Sequence, residues 1–203
     1  MIYSSRNLKQ WKKSKFEFYI QDCGGNGDCL FHVLSVAFTK LFGISFSMQD
    51  IRNKLASTLS IDTITFFLEQ LCSDQKEYTL SGSTLIQPIL SNLKENLITK
   101  DTALTILQSI INKPGLYFQG TDVVLNWLIK YDQLLNQYSV GFVIFNSYGP
   151  SFLQTCVSDN SCVFILLYNS PNQHWQLASL KSNNKIFSSI NKDVYKQLII
   201  LSE

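Results

Sequence analysis

Histidine is scarce in this chain of 203 residues, where His32 and His174 are the only two. The five cysteines form no Cys-x-x-Cys pair, so the ligand supply for a structural zinc site is lacking and no metal or other cofactor is expected. Charge is low as well: 16% of residues are charged and the formal net charge is +2. That leaves no dedicated polyanion-binding surface, and no nucleic-acid partner is expected. Long apolar runs are missing too. The longest, Cys162 to Tyr168, has the length of a strand, whereas crossing a bilayer takes about 20 apolar residues. No membrane association is therefore expected. The positive charges near the start (Arg6, Lys9, Lys12, Lys13, Lys15) are not followed by the apolar stretch of a secretory signal. An odd number of cysteines without regular spacing reads as free thiols in a reducing compartment, so a cytoplasmic location is expected. Cys72 and Cys162 read as small buried hydrophobes.

What is present is apolar bulk. At 45% apolar residues, the chain can fill one sizeable core, and its length gives little support for two. A monomer is expected, with residues 1–15 as a basic leading segment and 16–203 as a single domain. Phe16 to Ile20 alternates and predicts a short strand. From Cys29 to Phe42 apolar residues occur on nearly all sides, which predicts a buried helix stopped by Gly43. Ser47-Met48-Gln49-Asp50 resembles a capping box ahead of Ile51, Leu55 and Leu59. Ile64, Phe67, Leu68 and Leu71 predict another helix. Residues 73–100 are more polar and read as a partly helical insertion. Asp101 is the expected cap of a helix through Leu104, Leu107 and Ile111, ended by Pro114-Gly115. Thr121 or Asp122 would cap the next, with Val124, Trp127, Leu128 and Tyr131 inward. Val140–Phe145, Cys162–Tyr168 and Trp175–Leu180 are β-rich, and a last helix is expected around Val194, Leu198 and Leu201. Helices first and strands later, around one all-apolar helix, predict an α+β fold.

The chemistry concentrates where a glycine-rich loop, Asp22 to Asp28, becomes that buried helix. Cys29 sits at the helix start. A helix N-terminus favours a thiolate, and the loop can present backbone N–H groups to an oxyanion. An ordinary turn beside a small packed residue would look similar. A thiolate nucleophile needs a base, and only two histidines are available. His32 lies three residues along the same helix, which suits a structural or site-lining role. His174 follows a turn and opens a strand, a rigid and accessible position for a base.

Together these segments resemble the ovarian-tumour (OTU) family of cysteine deubiquitinases. Gly25-Asn26-Gly27-Asp28-Cys29-Leu30-Phe31-His32 looks like the family's nucleophile box, and His174-Trp175-Gln176 like its histidine box. The segment from Ile106 through Tyr117-Phe118-Gln119-Gly120 to Leu125 resembles a third family stretch. The resemblance spans roughly residues 16–180 and implies a papain-like fold, with the central helix packed on a small mixed β-sheet and residues 73–100 as a helical insertion. It implies Cys29 as nucleophile and His174 as general base. The family's aspartate three residues before the nucleophile is Asn26 here, and its polar residue two after the histidine is Gln176. Asn26 is assigned as the orienting residue, with Gln176 as the other candidate. Gly25, Gly27, Asp28 and Trp175 are assigned to the oxyanion and to the tail of the substrate, with Asp28 also expected to cap the helix.

The implied reaction is thiol-dependent hydrolysis at the C-terminus of ubiquitin or a ubiquitin-like protein, including polyubiquitin chains. Two other readings fit the same residues. One is a catalytically weak OTU-fold module that binds ubiquitin without cleaving it, suggested by the amides at the orienting positions. The other is a viral protease that processes a polyprotein. The Asn-, Lys- and Ile-rich composition suits a viral or bacterial source, with action in the host cytoplasm.

Overall fold

The structure, a computed structural model, describes residues 3–4, 17–25, 27–75, 83–115, 122–137, 139–146, 149–153, 163–169, 174–182, 185–187, 189–191 and 193. Within them the chain runs β1 (Tyr3–Ser4), β2 (Glu17–Gln21), α1 (Cys29–Phe42), α2 (Met48–Ser57), α3 (Ile64–Gln75), α4 (Ser83–Lys94), α5 (Lys100–Asn112), α6 (Asp122–Tyr131), α7 (Gln133–Gln137), β3 (Val140–Asn146), β4 (Gly149–Leu153), β5 (Val163–Asn169), β6 (Trp175–Ser182), β7 (Lys185–Phe187) and β8 (Ser189–Asn191). The fold is α+β.

Helix α1 is the axis of the core. Leu30, Phe31, Val33, Leu34, Ala37 and Phe38 are all buried, so the helix is wrapped on most of its circumference. It ends where Gly43 adopts φ +69° and returns its N–H to the Thr39 carbonyl at 3.0 Å. The next helix starts on the expected box: Ser47 accepts from the Asp50 amide at 3.0 Å, and the Asp50 carboxylate accepts from the Ser47 amide at 2.7 Å. Helix α1 packs against both α2 and β6, and α2 in turn against α5.

The sheet is mixed. Its strands run β1-β2-β6-β5-β3-β4, with β7 beside β6 and β8 beside β5. Strand β3 pairs parallel with β5, and β2 pairs antiparallel with β6 in a register that sets Gln21 opposite Leu177. Residues 141–145 of β3 are all buried, as befits a strand covered on both faces. Strand β1 pairs with the end of β2 and comes from the basic leading segment, where no strand is expected. The short strands β4, β7 and β8 are likewise unannounced, being too brief to leave a period.

One expectation needs correction here. Asp101 does not cap α5. Thr99 does, accepting from the Thr102 amide at 3.2 Å, which leaves Asp101 exposed in the first turn. Both residue types can cap. The helix starts at the earlier one, and α5 buries Ala103, Leu107 and Ile111. Within the polar stretch, Ser83–Lys94 forms α4, which buries Ile86, Ile89 and Leu90 and packs on α3 and α5. Thr121, Cys162 and the expected last helix lie outside the described residues.

Candidate active site

Strand β2 delivers the chain into the loop that ends at Cys29. The turn is tight: Gly24 has φ +138° and Gly27 φ +88°, both awkward for any other residue. An added Cβ at Gly24 would lie 2.9 Å from Cδ2 of His32, so the imidazole of His32 packs directly beneath the loop. His32 therefore supports the site from α1. At Gly25 a Cβ would meet nothing within 4 Å, so that side of the loop is open.

Cys29 is half-buried at the first turn of α1, and burial pushes its thiol up. The backbone amides of Trp175, Leu30 and Cys29 itself oppose that rise, while the neighbouring Asp28 charge adds to it. The amides that check the rise belong to two elements, the start of α1 and the start of β6. His174 immediately precedes Trp175, so the base candidate stands at the entrance of that same strand.

His174 meets a residue that no local sequence pattern singles out. Nε2 of His174 lies 3.0 Å from Oδ1 of Asp22, and the same oxygen accepts from the Gly24 amide at 3.1 Å. These bonds, with Gly24 first, hold the Asp22 carboxyl below its ordinary range against a smaller opposing effect of burial. An ionised carboxylate can only accept, so Nε2 carries the proton. The neutral imidazole then has its lone pair on Nδ1.

The register explains why these two meet. Gln21 faces Leu177, so one step further sets Asp22 opposite Gln176, and His174 is the diagonal neighbour on the same face. Asp22 thus supplies a carboxylate to the imidazole. Asn26, the assigned orienting residue, lies outside the described residues.

Two further assignments change. Trp175 has a side chain only 2% exposed within the core, so it does not wall a channel, and its contribution to the site is its backbone amide. Asp28 occupies the N-cap position of α1 but makes no capping hydrogen bond. Its amide is taken by the Gly25 carbonyl at 3.1 Å, which removes it from the oxyanion donors. Its carboxylate turns inward to Arg52 and to the Gly115 amide. Gly25, Gly27 and Cys29 remain as the loop positions from which an oxyanion could be met.

Cys23 is a second half-buried thiol at the start of the loop, with its sulfur 3.7 Å from the Gln21 carbonyl. Among the described residues no group of three or more His, Cys, Asp and Glu gathers in a way that could hold a metal ion.

No protein-family model and no curated protein sequence matches the chain. Among solved structures it is similar to an OTU deubiquitinase from Wolbachia pipientis wMel, at 13% identity and a TM-score of 0.45, over 89% of this chain and 96% of that one. It is also similar to the Hazara virus OTU bound to ubiquitin, at 12% identity and a TM-score of 0.43, over 89% of each chain.

Proposed function

We propose that this chain is a cysteine hydrolase of the OTU deubiquitinase type, with Cys29 as nucleophile, His174 as general base and Asp22 as the orienting carboxylate. The observation that carries the reading is the arrangement at the start of β6: Asp22 bonded to Nε2 of His174, and the next residue's amide acting on the Cys29 thiol. The substrate rests on the resemblance of the 25–32 and 174–176 boxes. It is the bond that joins the C-terminal glycine of ubiquitin, or of a ubiquitin-like protein, to an amine.

Because burial keeps the Cys29 thiol up, the nucleophile rests as the thiol. Nδ1 of His174 takes the thiol proton as sulfur attacks the carbonyl carbon, and Asp22 stabilises the imidazolium that forms. Backbone N–H groups of Gly25, Gly27 and Cys29 meet the oxyanion. The imidazolium passes its proton to the departing amine, leaving a thioester. Water, deprotonated by His174, then releases the carboxylate and restores the thiol.

The non-cleaving module was suggested by the lack of an acid at Asn26 and Gln176. Asp22 supplies that charge, so the motive for the weaker reading falls away. The test is a ubiquitin probe with a C-terminal electrophile, applied to the wild type and to Cys29→Ala. The wild type is expected to form one covalent adduct and Cys29→Ala none. Absence of an adduct with every ubiquitin-like probe sinks the hydrolase reading, and labelling that survives Cys29→Ala moves the nucleophile elsewhere.

A further inference from the structure

Next to the nucleophile lies a buried charge that the reaction above does not use. Arg52, on α2, is 0% exposed. Its Nε donates to Oδ1 of Asp28 at 2.8 Å, and Nη2 donates to the same oxygen. Nη1 donates to the Ile111 carbonyl at the end of α5, and the guanidinium lies over the Phe31 ring at 4.4 Å from its centroid. The second carboxylate oxygen of Asp28 accepts from the Gly115 amide at 2.7 Å. Asp28 is thus held by groups from α2 and from the turn after α5.

The place of Asp28 makes this grip consequential. An aspartate at a helix N-cap ordinarily accepts from the amide two or three positions on. Here that would be Leu30 or Phe31, and the carboxylate would then compete for the amides at the sulfur. It makes no such bond. The first-turn amides of α1 are thus left clear of the carboxylate, and those of Leu30 and Cys29 act on the Cys29 thiol. A buried ion pair can often be replaced by apolar residues without loss of stability, so core stability alone does not require this one.

We infer that Arg52 is a positioning residue for the nucleophile: by holding the Asp28 carboxylate away from the start of α1, it reserves the helix amides for the Cys29 sulfur. The inference rests on the reading of Cys29 as nucleophile, but its test reads the thiol itself and needs no substrate. The other titratable groups on the elements that meet at the helix start are His32 on α1, Cys23 and Asp22 at the end of β2, and His174 before β6. None of these is altered in the variants below.

The experiment measures iodoacetamide modification of Cys29 in the full chain across the neutral to alkaline range. Modification is quantified on the Cys29 peptide by mass spectrometry, with folding followed by circular dichroism. The proteins are the wild type, Arg52→Lys, Arg52→Met and the double variant Arg52→Met/Asp28→Asn. In Arg52→Met the released carboxylate returns to the helix start. Modification at neutral pH is expected to slow about tenfold, with the inflection displaced to higher pH. The double variant removes the charge and is expected to return to within about threefold of the wild type. Should Arg52→Met fail to fold, Arg52→Lys keeps the charge but loses the fork, and a severalfold slowing is expected in the folded protein. Wild-type modification rates in a folded Arg52→Met or Arg52→Lys overturn the inference, as does a double variant as slow as the single. Failure of the deubiquitinase reading is seen separately, as absence of a ubiquitin adduct on a Cys29 that still modifies as expected.

Discussion

Removing the Asp22 carboxylate tests the candidate site at its least expected member. The bond it makes to His174 is a charge-assisted one at 3.0 Å. Bonds to charged groups contribute about 1.5–3 kcal/mol when well shielded. This one is not well shielded, because the Asp22 side chain is 62% exposed and that of His174 31%. Exposed ion pairs contribute about 0–1 kcal/mol. A value between these limits, about 1–2 kcal/mol, corresponds to roughly a five- to thirtyfold loss in kcat/KM for Asp22→Ala. Asp22→Asn keeps an acceptor for Nε2–H and for the Gly24 amide and loses only the charge, so its loss is expected to be smaller. The assay is hydrolysis of a ubiquitin C-terminal fluorogenic amide, with folding checked in parallel. The lowered carboxyl stays ionised through the neutral range, so the defect is expected at every neutral and alkaline pH. What the bond adds to stability is present above the ordinary carboxylate range and is lost as pH falls through the lowered value. A folded Asp22→Ala with wild-type kcat/KM, beside a Gln176→Ala or Asn26→Ala that loses it, would refute the assignment.

Three further outcomes follow from the geometry. Gly24→Ala places a Cβ 2.9 Å from the His32 ring at φ +138°, and is expected to cost about 1–3 kcal/mol in urea unfolding. Adding His32→Ala should recover the part due to the clash and leave the part due to φ. Thr99→Ala removes the cap of α5 and should cost about 1 kcal/mol, whereas Asp101→Ala at an exposed position should stay within about 0.5 kcal/mol; thermal unfolding separates them. Burial raises the Cys29 thiol, so hydrolysis is expected to climb from neutral into alkaline pH rather than level off early. By the same linkage, the contribution of Cys29 to stability falls as pH rises through the ordinary thiol range, since the unfolded thiol then ionises first. A chemical denaturation series with pH, on wild type against Cys29→Ala, reads that difference.

The residues that local pattern could reveal differ in kind from those it could not. The buried helix from Cys29, its Gly43 stop and the Ser47–Asp50 box were legible because each is settled within a few residues of chain. The acid of the site was sought the same way, at fixed offsets from Cys29 and His174, and that search turned up only Asn26 and Gln176. Asp22 is 152 residues from its imidazole, and what joins them is the β2–β6 register. A slip of one residue in that pairing would turn Asp22 to the opposite face and away from His174. Sequence shows that β2 and β6 are strands without showing how they align, so the contact lay below what periodicity can resolve. Asp28 went astray for a related reason. Its position predicts a cap, and the prediction is correct about the backbone. A guanidinium 24 residues further on then claims the side chain. In both cases the local rule holds and a long-range charge decides which oxygen faces what. The polar half of this site was therefore set by tertiary pairing, while the apolar helix that carries the nucleophile was set by sequence period.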